Sequence, residues 1–403
     1  MDFSFFSQAR ELFQETSEEK EQRDIAGFPA IEAVMPSLPS RRNASIIDRL
    51  TSQLGQHNPF TKPVNAKEDK VWLLDNTASQ PASSQPWRAE FTAAYFVRHT
   101  GKDASKFVAD VCEKIGLVEG DEKEKIVAER LQPLLDYILP AHTVNVSIAG
   151  TLRTMGPSDR NGVSNNIIEI PGDYKDGQSI TSHAVGIANA TPVTTTFATA
   201  TGWAVISDID DTIKYTLTPS PLGILQQTFA EPFSPISGMP EAYQKIQAQL
   251  NNPPFWYLSA SPYNLYPFLK EFRDRYYPPG PLFLREASWW NLAGFLGSLT
   301  KGTQAYKVSE MEKIHKNFPK RTFLCIGDST QSDPESYGEI ARKYPDWVGH
   351  IFIRKVTGVE PMDEMKKNAP ERFERAFRDI DRAKWTVFED PAELEEKIKT
   401  LGI

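Results

Sequence analysis

The chain has 403 residues, 40% of them hydrophobic, 24% charged and 11% aromatic. That is enough apolar content to bury a sizeable core, and it excludes a mainly disordered chain; the length suggests about two to three domains. With 45 Lys+Arg against 53 Asp+Glu the formal net charge is −8, which argues against a nucleic-acid binder held by phosphate-backbone contacts over its whole surface. The two cysteines, Cys112 and Cys325, offer no disulfide framework and fit a reducing compartment. No apolar run reaches the roughly eighteen residues of a membrane-spanning helix. The first residues lack a basic region followed by an apolar run, so the chain is read as cytoplasmic.

In chain order, residues 1–69 read as poorly structured, with scattered prolines and little periodicity between Met35 and Pro63; Phe5, Phe6, Ala9, Leu12 and Phe13 could share one face of a short helix. Residues 70–142 read as a helical segment, because WRAEFTAAYFVR, SKFVADVCEKIG and KIVAERLQPLLDYIL carry apolar residues at helical spacing. At Thr143 the period changes: TVNVSIAG alternates, and NNIIEI and TPVTTTFAT follow between turn residues, so residues 143–201 read as a small β-rich module. Over residues 202–360 short apolar runs (WAVISD, FWYLSAS, PLFLRE, RTFLCIGDS, HIFIRKV) alternate with helical stretches. Such alternation predicts an α/β fold with a doubly wound, mostly parallel sheet. Residues 361–403 read as C-terminal helices packed on that domain.

The segment that carries chemistry is VISDIDDTIKYT. An apolar strand ends in Asp208, and Asp210, Asp211 and Thr212 follow. The carboxyl ends of strands form the ligand crevice of an open α/β sheet. Two carboxylates two positions apart there can divide labour, one as nucleophile and metal ligand, the other as general acid and then base. Their mutual repulsion calls for a cation, and an oxygen-only set favours Mg²⁺. Asp is also a good turn and cap residue, so this motif alone is ambiguous. Further along, LSAS puts Ser259 at a second strand end. Lys307 stands near the start of a helix with Val308, Met311 and Ile314 on its apolar face, and RTFLCIGDSTQSD puts Asp328 and Asp333 just beyond another strand. The order carries more weight than any single piece.

Asp-x-Asp-x-Thr, then Ser, then Lys, then Gly-Asp-x4-Asp on successive strand and helix edges resembles the haloacid dehalogenase superfamily of aspartate-nucleophile phosphotransferases. The resemblance implies that Asp208 attacks phosphorus to form an aspartyl-phosphate, and that Asp210 protonates the leaving oxygen and later activates water. It implies that Thr212 ties down the loop, that Ser259 and Lys307 hold the phosphoryl group, and that Asp208, Asp328 and the backbone carbonyl of Asp210 ligate Mg²⁺. Asp333 would support the metal's water shell or the lysine. ISDIDDTIK, WYLSASPYNLYPFL, LREASWW and CIGDSTQSDPESYGEIARKYP narrow the match: they look like the catalytic domain of the actin-patch-type fungal phosphatidate phosphatases, which is related to the lipin catalytic region. The resemblance spans residues 71–356 and is most specific over 206–356. It implies Mg²⁺-dependent hydrolysis of phosphatidic acid to diacylglycerol and phosphate.

The gaps from Thr212 to Ser259 and from Ser259 to Lys307 must each hold helices and a strand, which leaves room only for a minimal cap. An open site suits a substrate too large to enclose. Trp289 and Trp290, with Leu222, Ile224, Leu225, Leu292 and Phe295, are apolar residues near the expected mouth, and tryptophan has a physical reason to sit at a membrane interface. Lys214 and Arg285 are candidate phosphate contacts there. The expected partner is thus a membrane lipid met by peripheral contact, with no nucleic acid. A protein or small-molecule phosphatase using the same aspartates, and a non-catalytic scaffold keeping the fold, are the alternatives.

Overall fold

The structure is a computed structural model that describes residues 15–35, 61–80, 85–97, 105–117, 123–188, 190–285 and 292–400. Two sheets organise it. The carboxyl-terminal one has six strands, every neighbouring pair parallel, in the order Leu282–Arg285, Phe255–Pro262, Trp203–Asp208, Thr322–Asp328, Val348–Arg354, Trp385–Phe388. Its strands are apolar on both faces because helices cover both. Val205, Phe255, Tyr257, Leu324 and Ile326 point to one side, where the Met239–Gln249, Tyr266–Tyr276, Leu292–Thr300 and Pro391–Lys399 helices pack. Ala204, Ile206, Trp256, Leu258, Phe323 and Cys325 alternate to the other, against the Thr303–Asn317, Asp333–Lys343 and Pro370–Ala376 helices. The catalytic candidates sit at the carboxyl ends of the two central strands and their neighbour, as the sheet type demands.

The other sheet is mixed. Its path runs Lys62–Pro63, His142–Ile148, Ser179–Ala184, Val193–Ala198, Asn76–Ser79, Trp87–Val97, Asp69–Leu74, with Tyr137–Ile138 and Val163–Ile170 also pairing to Trp87–Val97 and Thr151–Met155 to His142–Ile148. The helical expectation for WRAEFTAAYFVR is therefore wrong: Trp87–Val97 is an eleven-residue strand. The reason is double burial. Trp87, Ala89, Phe91, Ala93 and Tyr95 enter one core, while Ala94 and Phe96 enter the core shared with the parallel sheet. A strand buried on both faces loses its alternation and imitates helical spacing. Of the segment read as helical, Ser105–Lys114 and Lys123–Leu135 are helices, while Asp69–Leu74, Asn76–Ser79 and Tyr137–Ile138 are strands.

Two further expectations change. The carboxyl-terminal residues supply a sheet strand, Trp385–Phe388, besides helices; four residues between charged flanks carry too little periodicity to be read. Within the amino-terminal segment expected to be poorly structured, Ser17–Ile25 is a helix with a complete capping box, Thr16 Oγ1 accepting from Glu19 N at 3.1 Å and Glu19 Oε2 from Thr16 N at 2.9 Å. It is followed by the Phe28–Ala33 helix, whose Phe28 is buried in the shared core. Phe5, Phe6, Ala9, Leu12 and Phe13 lie outside the described residues. No described helix is long and apolar enough to cross a membrane.

Candidate active site

Asp208 closes its strand, and the chain then turns sharply: Ile213 N and Lys214 N both donate to Ile209 O at 3.0 Å, and Asp211 takes a left-handed φ of 60°. The turn is fixed by Asp211 itself, whose carboxylate accepts from Thr216 N, Leu217 N and Thr218 N at 2.7–3.0 Å and from Thr218 Oγ1 at 2.7 Å. Arg354 donates to the Asp211 carbonyl. Burial, and then the charge of Asp328, push the Asp211 carboxyl up, while the Thr218 donors hold it down. Sequence reasoning gave Asp211 no role: in DIDDT nothing marks the last aspartate as a loop builder.

Around this turn the sequence-predicted residues converge. Lys307 Nζ lies 2.7 Å from Asp208 Oδ1 and pairs with Asp333 as well. The Thr212 hydroxyl sits between two carboxylates, 3.1 Å from Asp208 Oδ2 and 3.0 Å from Asp328 Oδ2. Asp333 Oδ2 accepts from Asp328 N at 3.0 Å, an approach that Gly327 makes possible, since a Cβ there would stand 2.5 Å from that oxygen. Thr330 donates to Asp328 from both its backbone N, at 2.6 Å, and its hydroxyl. Asp210 faces a second polar group: Ser259 Oγ donates at 2.5 Å, Thr216 Oγ1 at 2.8 Å, and Lys214 Nζ stands 3.6 Å away. Ser261 Oγ is a more distant donor at 3.3 Å. Asp208, Thr212, Ser259, Lys307, Asp328 and Asp333 are fully buried, and Asp210 and Lys214 nearly so.

Burial dominates the electrostatics. It raises the Asp208 carboxyl well above the usual range, and the Asp333 charge adds to this while Lys307 opposes it; Asp328 is raised for the same first two reasons. Lys307 stays protonated, because the charges of Asp208 and Asp333 outweigh its desolvation. Burial lowers Lys214, with Asp210 countering. Three buried carboxyl groups share one ammonium, so full ionisation of the cluster needs a further cation.

The residues fit a hard divalent cation. Among the described residues the acidic group with ligand-like spacing is Asp208, Asp328 and Asp333, whose oxygens lie within 4.8 Å of one another. The donor set is all oxygen, which suits Mg²⁺. Asp208 Oδ1 is buried without an aligned hydrogen bond, having only the Lys307 ammonium close by. Thr212 has a single proton to offer two carboxylate oxygens, so one of those contacts also lacks a donor. The Asp210 side chain is outside this group and faces Ser259 instead.

The substrate-contact candidates divide. Lys214 is in the site. Arg285 is not available: it is buried, and its guanidinium donates to the carbonyls of Ser298, Lys301 and Gly302, where it closes the Leu292–Thr300 helix and the turn after it. Trp289 and Trp290 lie outside the described residues. Of the apolar residues expected at the mouth, Ile224, Leu225, Leu292 and Phe295 are core, while Leu222 is 39% exposed. A cavity of about 80 Å³ lies one residue away from the acidic cluster, with Thr218, Thr303, Gln331 and Thr330, the donor to Asp328, in its wall.

Residues 203–355 match the family described as "Phosphatidate phosphatase APP1, catalytic domain". The chain is 29% identical over 250 residues to phosphatidate phosphatase APP1 of Saccharomyces cerevisiae, covering 58% of this chain and 41% of that protein. It is also 29% identical over 160 residues to an uncharacterized protein of Schizosaccharomyces pombe, covering 38% of this chain and 25% of that one. The matches thus span less than half the length of either relative. Residues 203–355, which hold every aspartate of the converged site, are a match to the APP1-type phosphatidate phosphatase catalytic domain.

Proposed function

We propose that the chain is a Mg²⁺-dependent phosphatidate phosphatase of the haloacid dehalogenase type, with a doubly wound catalytic domain, that hydrolyses phosphatidic acid to diacylglycerol and phosphate while in peripheral contact with a membrane. The observation that carries this reading is the meeting of Asp208, Thr212, Lys307, Asp328 and Asp333 at the carboxyl edge of the parallel sheet, inside the stretch that matches the phosphatidate phosphatase family.

Asp208 is the nucleophile. Its carboxylate oxygen bonds to phosphorus as the bond from phosphorus to the lipid's glycerol oxygen breaks, and Asp210 gives that oxygen its proton. In the second half Asp210 takes a proton from water, the water oxygen bonds to phosphorus, and the phosphorus–Asp208 bond breaks to release phosphate. Ser259 and Thr216, one on each oxygen of Asp210, fix its orientation for both transfers. Lys307 neutralises charge on the nucleophile and the phosphoryl oxygens and is itself steadied by Asp333. Asp208 and Asp328 would hold Mg²⁺, which would supply charge neutralisation for the phosphoryl group. The test is phosphate release from phosphatidic acid in detergent micelles, set beside phosphopeptides and soluble phosphate esters. Preference for the lipid supports the reading; turnover of a soluble ester alone rejects it.

A further inference from the structure

The cavity beside the acidic cluster has a peculiar wall. On the catalytic side stand Thr303, Thr330, Gln331, Lys367 and Arg372. Across from them lies the amino-terminal Ser17–Ile25 helix, far away in sequence. Thr330 is bonded to Asp328, and the Gln331 side-chain oxygen lies 3.5 Å from Lys307 Nζ, so one layer of side chains separates this cavity from the reacting groups.

Lys367 is the informative residue. It is 7% exposed, and its ammonium makes no hydrogen bond or ion pair among the described residues. Burial, and then the charge of Arg372, lower it to about 8. Arg372 is fully engaged, with both carboxylate oxygens of Glu335 at 2.9 Å and the carbonyls of Ser329, Gln331 and Lys367. An ammonium on a mostly buried side chain that reaches only this cavity favours an anion there.

The helix opposite presents carboxylates to this face. Glu19 accepts from Gly302 N at 3.0 Å and from Thr303 N and Oγ1 at 2.9 Å, at the amino terminus of the fifteen-residue helix that carries Lys307. Thr303 is itself 2% exposed. Glu21 pairs with Lys366 at 2.6 Å, and the charge of Glu18 acts on Lys367 without reaching it. Each donor is of a kind that binds phosphate: a helix start, a buried hydroxyl and an ammonium.

We infer that this cavity is a second phosphate subsite beside the catalytic centre, built from Lys367, Thr303 and the Gly302–Thr303 amides, and that Glu19 occupies those amides and the Thr303 hydroxyl as a displaceable carboxylate stand-in. Its ligand is a phosphate monoester dianion or inorganic phosphate, either an arriving lipid headgroup or the departing product. The inference rests on the phosphatase reading for the identity of that headgroup. A phosphate brings more charge and more acceptor oxygens than one carboxylate, so it can displace the Glu19 carboxylate from these donors.

The test combines calorimetric titration of the resting chain with inorganic phosphate and steady-state kinetics on phosphatidic acid micelles, for wild type, Lys367→Met and Glu19→Gln. Gln keeps the capping box of the first helix while removing the charge. Lys367→Met should weaken phosphate binding and raise KM about tenfold, and Glu19→Gln should move both the other way about threefold. Melting temperatures should be near wild type, and Glu19→Gln still decides the matter if Lys367→Met fails to fold. A shift in KM alone assigns the subsite to the headgroup, and a shift in phosphate binding alone to the product. No shift in either, for either variant, overturns the inference. Because the titration needs no turnover, a chain that leaves phosphatidic acid untouched yet loses phosphate binding with Lys367→Met sinks the substrate reading and keeps the subsite.

Discussion

Replacing Lys307 by Met tests how the site holds its charge. Lys307 is fully buried between Asp208 and Asp333, and the charge of Asp328 also acts on it. Met keeps much of the stem's volume and removes the ammonium, which leaves three buried carboxylates facing one another. Breaking a buried pair by removing one partner costs about 3–5 kcal/mol, or about 6–20 °C in melting temperature for a domain of this class. The loss should be smaller at pH 5 than at pH 7, because burial and the Asp333 charge raise Asp208 and Asp328, so that lowering the pH moves them towards the neutral form and relieves the stranded charge. Adding Asp333→Asn to Lys307→Met should cost less than the two single changes summed, since the second change removes one of the stranded charges. Thermal melts at both pH values, read as a double-mutant cycle, decide it. A Lys307→Met melt equal to wild type at pH 7, or strict additivity with Asp333→Asn, would refute the charge-balance argument.

Other outcomes follow from the same geometry. Ser259→Ala removes a 2.5 Å donor to Asp210; one hydrogen bond to a charged group is worth roughly 1.5–3 kcal/mol, so kcat should fall about 10–100-fold with KM nearly unchanged, and a KM effect alone would argue against the orienting role. Arg285→Met should lower the melting temperature through the stranded Ser298, Lys301 and Gly302 carbonyls while KM stays within about twofold, because the guanidinium faces the fold and not the site. In EDTA, stability should decline as pH rises above about 4, the unfolded carboxylate range, through the raised folded value of Asp208: the folded chain holds that proton longer, and its contribution is complete only below the unfolded value. Mg²⁺ should flatten the decline and restore turnover. A melt in EDTA that is insensitive to pH across that range would contradict the buried-carboxylate account.

Much of the site could be read from the sequence because its physics is local in kind, though distant along the chain. Strands buried on both faces read as continuous apolar runs, and polar residues at or near the close of these runs (Asp208, Ser259, Asp328) fall towards the sheet's carboxyl edge. Lys307 and Asp333 were legible only through their order, because an isolated lysine near a helix start or an aspartate after a turn has bland explanations. What could not be read depends on contacts between remote segments. Trp87–Val97 hid its alternation because two cores meet it from opposite sides. Arg285 looked like a phosphate contact because no local feature shows that the next helix turns its carbonyls towards it. The docking of Glu19 on Thr303 joins residues at opposite ends of the chain's folding units and leaves no trace in spacing.

The central claim is that the Asp208 carboxylate takes the phosphoryl group during turnover. Asp210→Asn should slow the release step, so an acid quench followed by borohydride reduction and peptide mass analysis should find homoserine in place of Asp208. The same treatment of Asp208→Asn should find none, together with no phosphate released. Reduction at a different aspartate, or a full rate in Asp208→Asn, would contradict the account.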